Sequence, residues 1–186
     1  MPTPLRLFGV AINIPEPFNA ELSKWRHELG DPQASAVPPH VTLLPPTPLP
    51  DDLLPEVEEH LRAIAEDEEP FDIRLSGSDS FRPVSPVVFV PLNEGASGCA
   101  RIEARVRSGL LARELQFDYH PHVTVCHDMP DVVLDRAEKE LAAYEGRFFV
   151  WGFSLFEQGP DAVWRPQRDF PFGRPLPGPT TPDQPS

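Results

Sequence analysis

Hydrophobic residues in this chain recur with two periods, and the switches between them divide it into strands and helices. Leu5, Leu7, Phe8, Val10, Ile12 and Ile14 form a β-rich run that predicts a first strand over Leu5–Ile14. Pro15 and Pro17 stop it, and Asn19 is placed to cap a helix from Ala20 to Leu29 that Gly30 closes. Pro38-Pro39 then delivers extended chain into His40–Leu44. Pro45, Pro46, Pro48 and Pro50 predict a loop, after which Asp51 or Asp52 caps a helix. That helix carries Leu54, Val57, Leu61 and Ile64 as an amphipathic stripe. Phe71–Phe81 alternates apolar and polar residues, as a strand with one wet face does, and Val84–Leu92 reads as a more buried strand. Ser97–Glu114 is expected to be helical, with Ile102, Val106 and Leu110 facing inward. Tyr119–His127 is the next strand and Asp131–Tyr144 the last helix, and Arg147–Glu157 and Ala162–Phe170 close the order as paired strands.

One stretch of this pattern occurs twice. Pro39-His40-Val41-Thr42-Leu43 returns as Pro121-His122-Val123-Thr124-Val125, 82 residues later. At the same offset, Val87–Leu92 stands where Leu5–Ile14 stands for the first copy. The repeat is thus a strand–helix–strand unit, which predicts two related lobes with the histidines at equivalent places. Alternation along each strand sends His40 with Thr42, and His122 with Thr124, to one face, and Val41 and Val123 to the packing behind. Two imidazoles meeting across a cleft form an acid–base couple near neutral pH. Neighbouring hydroxyls suit the non-bridging oxygens of a phosphate. Such a set fits phosphodiester cleavage with an alcohol leaving group and needs no metal.

Composition narrows the setting. The 186 residues suit one domain or two small lobes sharing a core, which a hydrophobic fraction of 40% and 12 Phe can fill. No stretch approaches a membrane span, and the start lacks the apolar region of a secretory signal. Two cysteines, Cys99 and Cys126, make no disulfide framework, so the expected location is a reducing cytoplasm. Net charge is −13, of which Asp51–Glu69 alone carries −8. That run reads as a solvated helix face, and the balance disfavours a long nucleic-acid track while leaving a small phosphorylated ligand or an RNA end open. Arg101, Arg105, Arg107 and Arg113 are read as an outward, solvated face. The six prolines of residues 171–186 predict a flexible tail beyond a single domain over residues 1–170.

The two His-x-Thr motifs and the opening Leu5-Arg6-Leu7-Phe8-Gly9-Val10-Ala11-Ile12 resemble the 2H phosphoesterase superfamily, which includes 2′-5′ RNA ligases and cyclic phosphodiesterases. The resemblance covers residues 4–170 in layout and is specific at the motifs. It implies an α+β fold of two pseudo-symmetric lobes, with mostly antiparallel sheets around a central cleft. It implies His40 and His122 as catalytic acid and base, in an order that symmetry leaves open, and Thr42 and Thr124 as phosphate-binding residues. The expected activity is metal-independent opening of 2′,3′-cyclic phosphates of nucleotides or RNA ends to 2′-phosphates, with no cofactor, by a monomer. A 2′-5′ RNA ligase and a non-catalytic nucleotide-binding module are the alternatives.

Around the motifs, Phe8, Tyr119, His127 and Arg165 are candidates for the cleft, with Phe81, Phe153, Trp164 and Arg82 behind them. His120, Cys126 and His127 raise the question of zinc, but the first motif offers no matching set. In a regular strand Cys126 shares the face of His122 and His127 points away. His27 and His60 are expected to be solvated on their helices.

Overall fold

The computed structural model of the protein describes residues 3–174, so most of the expected proline-rich tail lies outside the described residues. The first strand, β1 (Leu5–Asn13), is followed by α1 (Phe18–Glu28) and β2 (His40–Pro50). Next come α2 (Leu54–Asp67), β3 (Phe71–Ser76), the two-residue β4 (Asp79–Ser80), β5 (Val87–Glu94), α3 (Ala96–Val106) and β6 (His122–His127). The order ends with α4 (Asp131–Glu140), β7 (Glu145–Val150), β8 (Gly152–Gln158) and β9 (Trp164–Pro171).

These strands form two antiparallel sheets. One runs β2-β1-β8-β9. In the other, β5 holds β6 against one edge and β3 and β4 against the opposite edge, with β7 beyond β3. The fold is therefore mixed α+β, and each motif strand lies at the margin of its own sheet. The two margins meet, since β2 contacts β6, and the helices cross over, α3 packing on β2 and α1 on β6. Val41, Leu43, Val123 and Val125 are almost fully buried behind the motif faces.

The repeat is real in three dimensions but its register is not constant. Ala11 pairs with Thr42 and Phe89 with Thr124, so the first strands are related by 78 residues and the motif strands by 82. The helices, Phe18–Glu28 and Ala96–Val106, also obey the offset of 78. The four extra residues lie in the connection from α3 to β6. Val87 thus corresponds to Gly9, and not to Leu5.

Several boundaries differ from those expected. The prolines after Leu44 do not end β2, which continues to Pro50, because a sheet margin has no outer ladder for a missing N–H to break. Helix α1 starts at Phe18 and has no side-chain cap, although Glu16 accepts from the Ala20 N–H. Asp51 and Asp52 begin a 3₁₀ turn ahead of α2, and Asp51 accepts from Arg6. Helix α3 ends at Val106, and Gly109, at φ +58°, turns the chain into a short 3₁₀ segment that leaves Leu110 exposed. Arg147–Glu157 is two strands, since at Trp151 the chain leaves one sheet for the other. The acidic run is not simply solvated. Glu68 is buried beneath Arg101 and Arg105, Asp67 also meets Arg105, and Glu58 meets Arg168. His60 is tied by Nε2 to the Val106 carbonyl at 3.1 Å. No helix among the described residues is long and apolar enough to cross a membrane.

Candidate active site

Both motifs share a local device that alternation alone does not reveal. In β2 the burial order from His40 to Pro45 is partial, buried, partial, buried, buried, partial, and it repeats from His122 to His127. Two consecutive inward residues mark a bulge. Leu43 has no partner between the Ala11–Thr42 and Val10–Leu44 pairs, and Val125 has none between Phe89–Thr124 and Val88–Cys126. The second bulge reverses the expectation for the end of β6. Cys126 turns into the core, fully buried, and His127 returns to the side of His122 and Thr124.

Each motif histidine is oriented in the same way. His40 Nδ1 lies 2.8 Å from the Pro38 carbonyl, and His122 Nδ1 lies 2.6 Å from the His120 carbonyl. A carbonyl only accepts, so each Nδ1 carries a proton and donates it, leaving Nε2 of the neutral ring as the free position. Burial lowers the pKa of both rings from the ordinary 6.5, with the backbone hydrogen bond acting in the opposite sense in each case. Charge on Arg26 and on His122 lowers His40 further, and charge on His120 lowers His122 further. The rings of Phe81 and Phe89 wall in His122 at 4.9 and 5.2 Å between centroids, which accounts for its desolvation.

A cleft of about 340 Å³ opens on the first motif. His40, Thr42, Thr124 and His127 line it, facing Val10, Ala11, Phe156 and Trp164. The hydroxyls of Thr42 and Thr124 have no hydrogen-bond partner among the described residues, so both are free to meet a ligand. His127 is held by its neighbour, with Nδ1 at 3.2 Å from Asp128 Oδ2. Asp128 sits at φ +55°, a conformation Asp tolerates better than most residues.

The other candidates fall elsewhere. Phe8 is 1% exposed, on the opposite face of β1 from Gly9 and Ala11, and packs in the core. Tyr119 sits between the lobes, its hydroxyl donating to the Thr42 carbonyl at 2.7 Å. Arg165 leaves the cleft to clasp Asp161, while its neighbour Trp164 lines it. Arg82 is engaged by Asp131, Asp135 and Glu138, and Phe153 is buried beside Phe170. Among the described residues no three His, Cys, Asp or Glu side chains gather as metal ligands, and Cys126 is fully buried in the core. Arg26, Asp31 and Gln33, which the pattern did not single out, also line the cleft.

Known proteins resemble this chain in sequence and in fold. The family model of the 2′-5′ RNA ligase superfamily matches residues 14–162. A candidate phosphoesterase of Bacillus cytotoxicus is 27% identical over 148 residues, 77% of this chain and 84% of that protein. Another, from Geobacillus kaustophilus, is 25% identical over 168 residues, 89% of this chain and 96% of its own. Among solved structures, Escherichia coli LigT complexed with 3′-AMP superposes with a TM-score of 0.68 at 16% identity, covering 92% of this chain and all of LigT. A protein of Thermus thermophilus superposes with a TM-score of 0.67 at 23% identity, covering 89% of this chain and 97% of its own.

Proposed function

The chain belongs to the 2′-5′ RNA ligase superfamily, the 2H phosphoesterases, and from that premise we propose that it hydrolyses 2′,3′-cyclic phosphates to 2′-phosphates without a metal. The substrate is a nucleotide or a short RNA end, and His40 and His122 are the acid–base pair. One observation carries the reading. Both motif imidazoles are pinned through Nδ1 to the carbonyl two residues earlier, which leaves two equivalent Nε2 atoms for proton transfer.

The chemistry follows from that pair. One neutral Nε2 accepts a proton from water as the water oxygen bonds to phosphorus. The bond from phosphorus to O3′ then breaks, and the other ring, protonated at Nε2, delivers its proton to the leaving oxygen. Thr42 and Thr124 donate to the non-bridging oxygens, where charge accumulates. That LigT has been crystallised with 3′-AMP supports a nucleotide as the ligand. An acidic chain whose cleft holds a single Arg or Lys among the described residues suits a small substrate better than a long RNA.

The test is hydrolysis of 2′,3′-cyclic nucleotides with and without EDTA, with the product identified by phosphorus NMR. Chelator-resistant formation of the 2′-phosphate, lost in both His40→Ala and His122→Ala, is the expected result. Retention of turnover in either variant, or its loss in EDTA, would overturn the mechanism.

A further inference from the structure

Arg26 occupies an unusual position for a cation. It lies on α1, only 3% exposed, with Nε donating to Asp31 Oδ2 at 3.0 Å and Nη1 donating to the Val37 carbonyl. Asp31 is itself sealed, its side chain having no accessible surface. Nη2 makes no hydrogen bond among the described residues, yet no buried polar side-chain atom there is left without a partner. Nη2 must therefore reach solvent, and the solvent that Arg26 borders is the cleft beside His40 and Thr42. Of the described residues lining that cleft, Arg26 is the only Arg or Lys. The pseudo-symmetry gives it no counterpart, since the offset of 78 between α1 and α3 puts Ala104 at the matching place.

We infer that Arg26 is a substrate-binding residue, its Nη2 donating to an anionic oxygen of the phosphate group. The inference takes the nature of its ligand from the phosphoester reading above. A cyclic phosphodiester brings a negative charge into a cleft whose threonines are neutral hydrogen-bond donors. A fixed guanidinium answers that charge at little ordering cost, because Asp31 and Val37 already hold two of its three nitrogens. The same contacts brace residues 31–38, whose Pro38 carbonyl orients His40, so the anion site and the first histidine are built on one support.

Binding measurements separate this inference from the question of turnover. Inorganic phosphate, 2′-AMP and uncharged adenosine would be titrated by NMR into the wild-type protein, Arg26→Lys and Arg26→Gln, with thermal melts as the folding control. In Arg26→Gln the dissociation constants for phosphate and 2′-AMP should rise about tenfold or more, as loss of a charge-assisted hydrogen bond requires. Arg26→Lys should fall between, and adenosine should bind all three alike. Unchanged anion binding in a folded Arg26→Gln variant, or equal losses for 2′-AMP and adenosine, would overturn the inference. Should Arg26→Gln fail to fold, the guanidinium ¹⁵N signals of the wild-type protein decide: phosphate must shift those of Arg26, and no shift rejects the role. Anion binding that depends on Arg26 without turnover of cyclic nucleotides would sink the hydrolase and leave the anion site standing.

Discussion

Tyr119 donates a 2.7 Å hydrogen bond to the main-chain carbonyl of Thr42, 77 residues away, and so fastens the lead-in of one motif to the strand of the other. The hydroxyl is in a desolvated place, where burial raises its pKa, and the carbonyl it meets belongs to the residue whose side chain faces the cleft. The two halves of the site are thereby locked in register through the backbone.

Tyr119→Phe removes that bond and leaves the Thr42 carbonyl without its partner. Loss of about 1–2 kcal/mol of unfolding free energy is expected, read from chemical denaturation. Because β2 then shifts against β6, kcat should fall more than KM rises. A variant with normal stability and normal kcat would show that the lobes need no such tie.

Thr42→Val and Thr124→Val test the hydroxyls without disturbing shape. Neither hydroxyl bonds to the protein among the described residues, so stability should hold in both variants. Each should lose about tenfold or more in kcat/KM on a cyclic phosphate, the order expected for one hydrogen bond to a charged group. Unfolding near the wild-type midpoint with full activity would remove the threonines from the mechanism.

The motifs were legible because they obey a rule that sequence carries whole. A strand's period of two fixes which residues share a face, and repetition says that both faces serve one purpose. What stayed hidden depends on pairing. Leu43 and Val125 are bulged only because neighbouring strands skip them, and nothing in His-Val-Thr-Val-Cys-His announces the skip. That single displacement exchanges Cys126 and His127 between core and cleft. The change of repeat offset from 78 to 82 was hidden for the same reason, since loops absorb insertions without a hydrophobic signature. Arg26 looked like any helix arginine. Its role comes from Asp31 and Val37, residues of the following connection that only folding brings to it. Phe8 misled in the other direction, because β1 is buried on both faces and an aromatic there packs inward.

Gly95 starts α3 at φ +89°, and a Cβ on it would stand 2.6 Å from the Asp72 carbonyl oxygen and 2.8 Å from Ile73 Cγ1. Gly95→Ala should therefore cost about 2–4 kcal/mol, combining an unfavourable backbone with a collision against β3. Gly173 has the same sign of φ, at +90°, but nothing within 4 Å of its would-be Cβ. Gly173→Ala should cost only about 1 kcal/mol, the conformational part alone. Equal losses in urea denaturation would mean that close approach to β3 is not what selects glycine at position 95.

The two motif histidines also tie stability and activity to pH. Burial, above all, holds both pKa values below 6.5 in the folded protein, and an unfolded chain restores the ordinary value. Between the folded and unfolded values, the unfolded state binds more protons, so stability rises with pH there. The stability these groups contribute is complete above about pH 6.5 and declines as pH falls through the folded values. Unfolding free energies measured from about pH 7.5 down to about pH 5 should decline, and His40→Gln with His122→Gln should flatten that slope. The groups that set the effect at His40 are its burial, Arg26 and His122, opposed by the Pro38 carbonyl, so Arg26→Gln should shift the His40 NMR titration upward. Activity adds an independent readout, because the ring that acts as base must be neutral and the acid limb of kcat/KM should therefore lie below about pH 6.5. An acid limb above that value, or a slope unchanged in the double variant, would show that these imidazoles are not a desolvated acid–base pair.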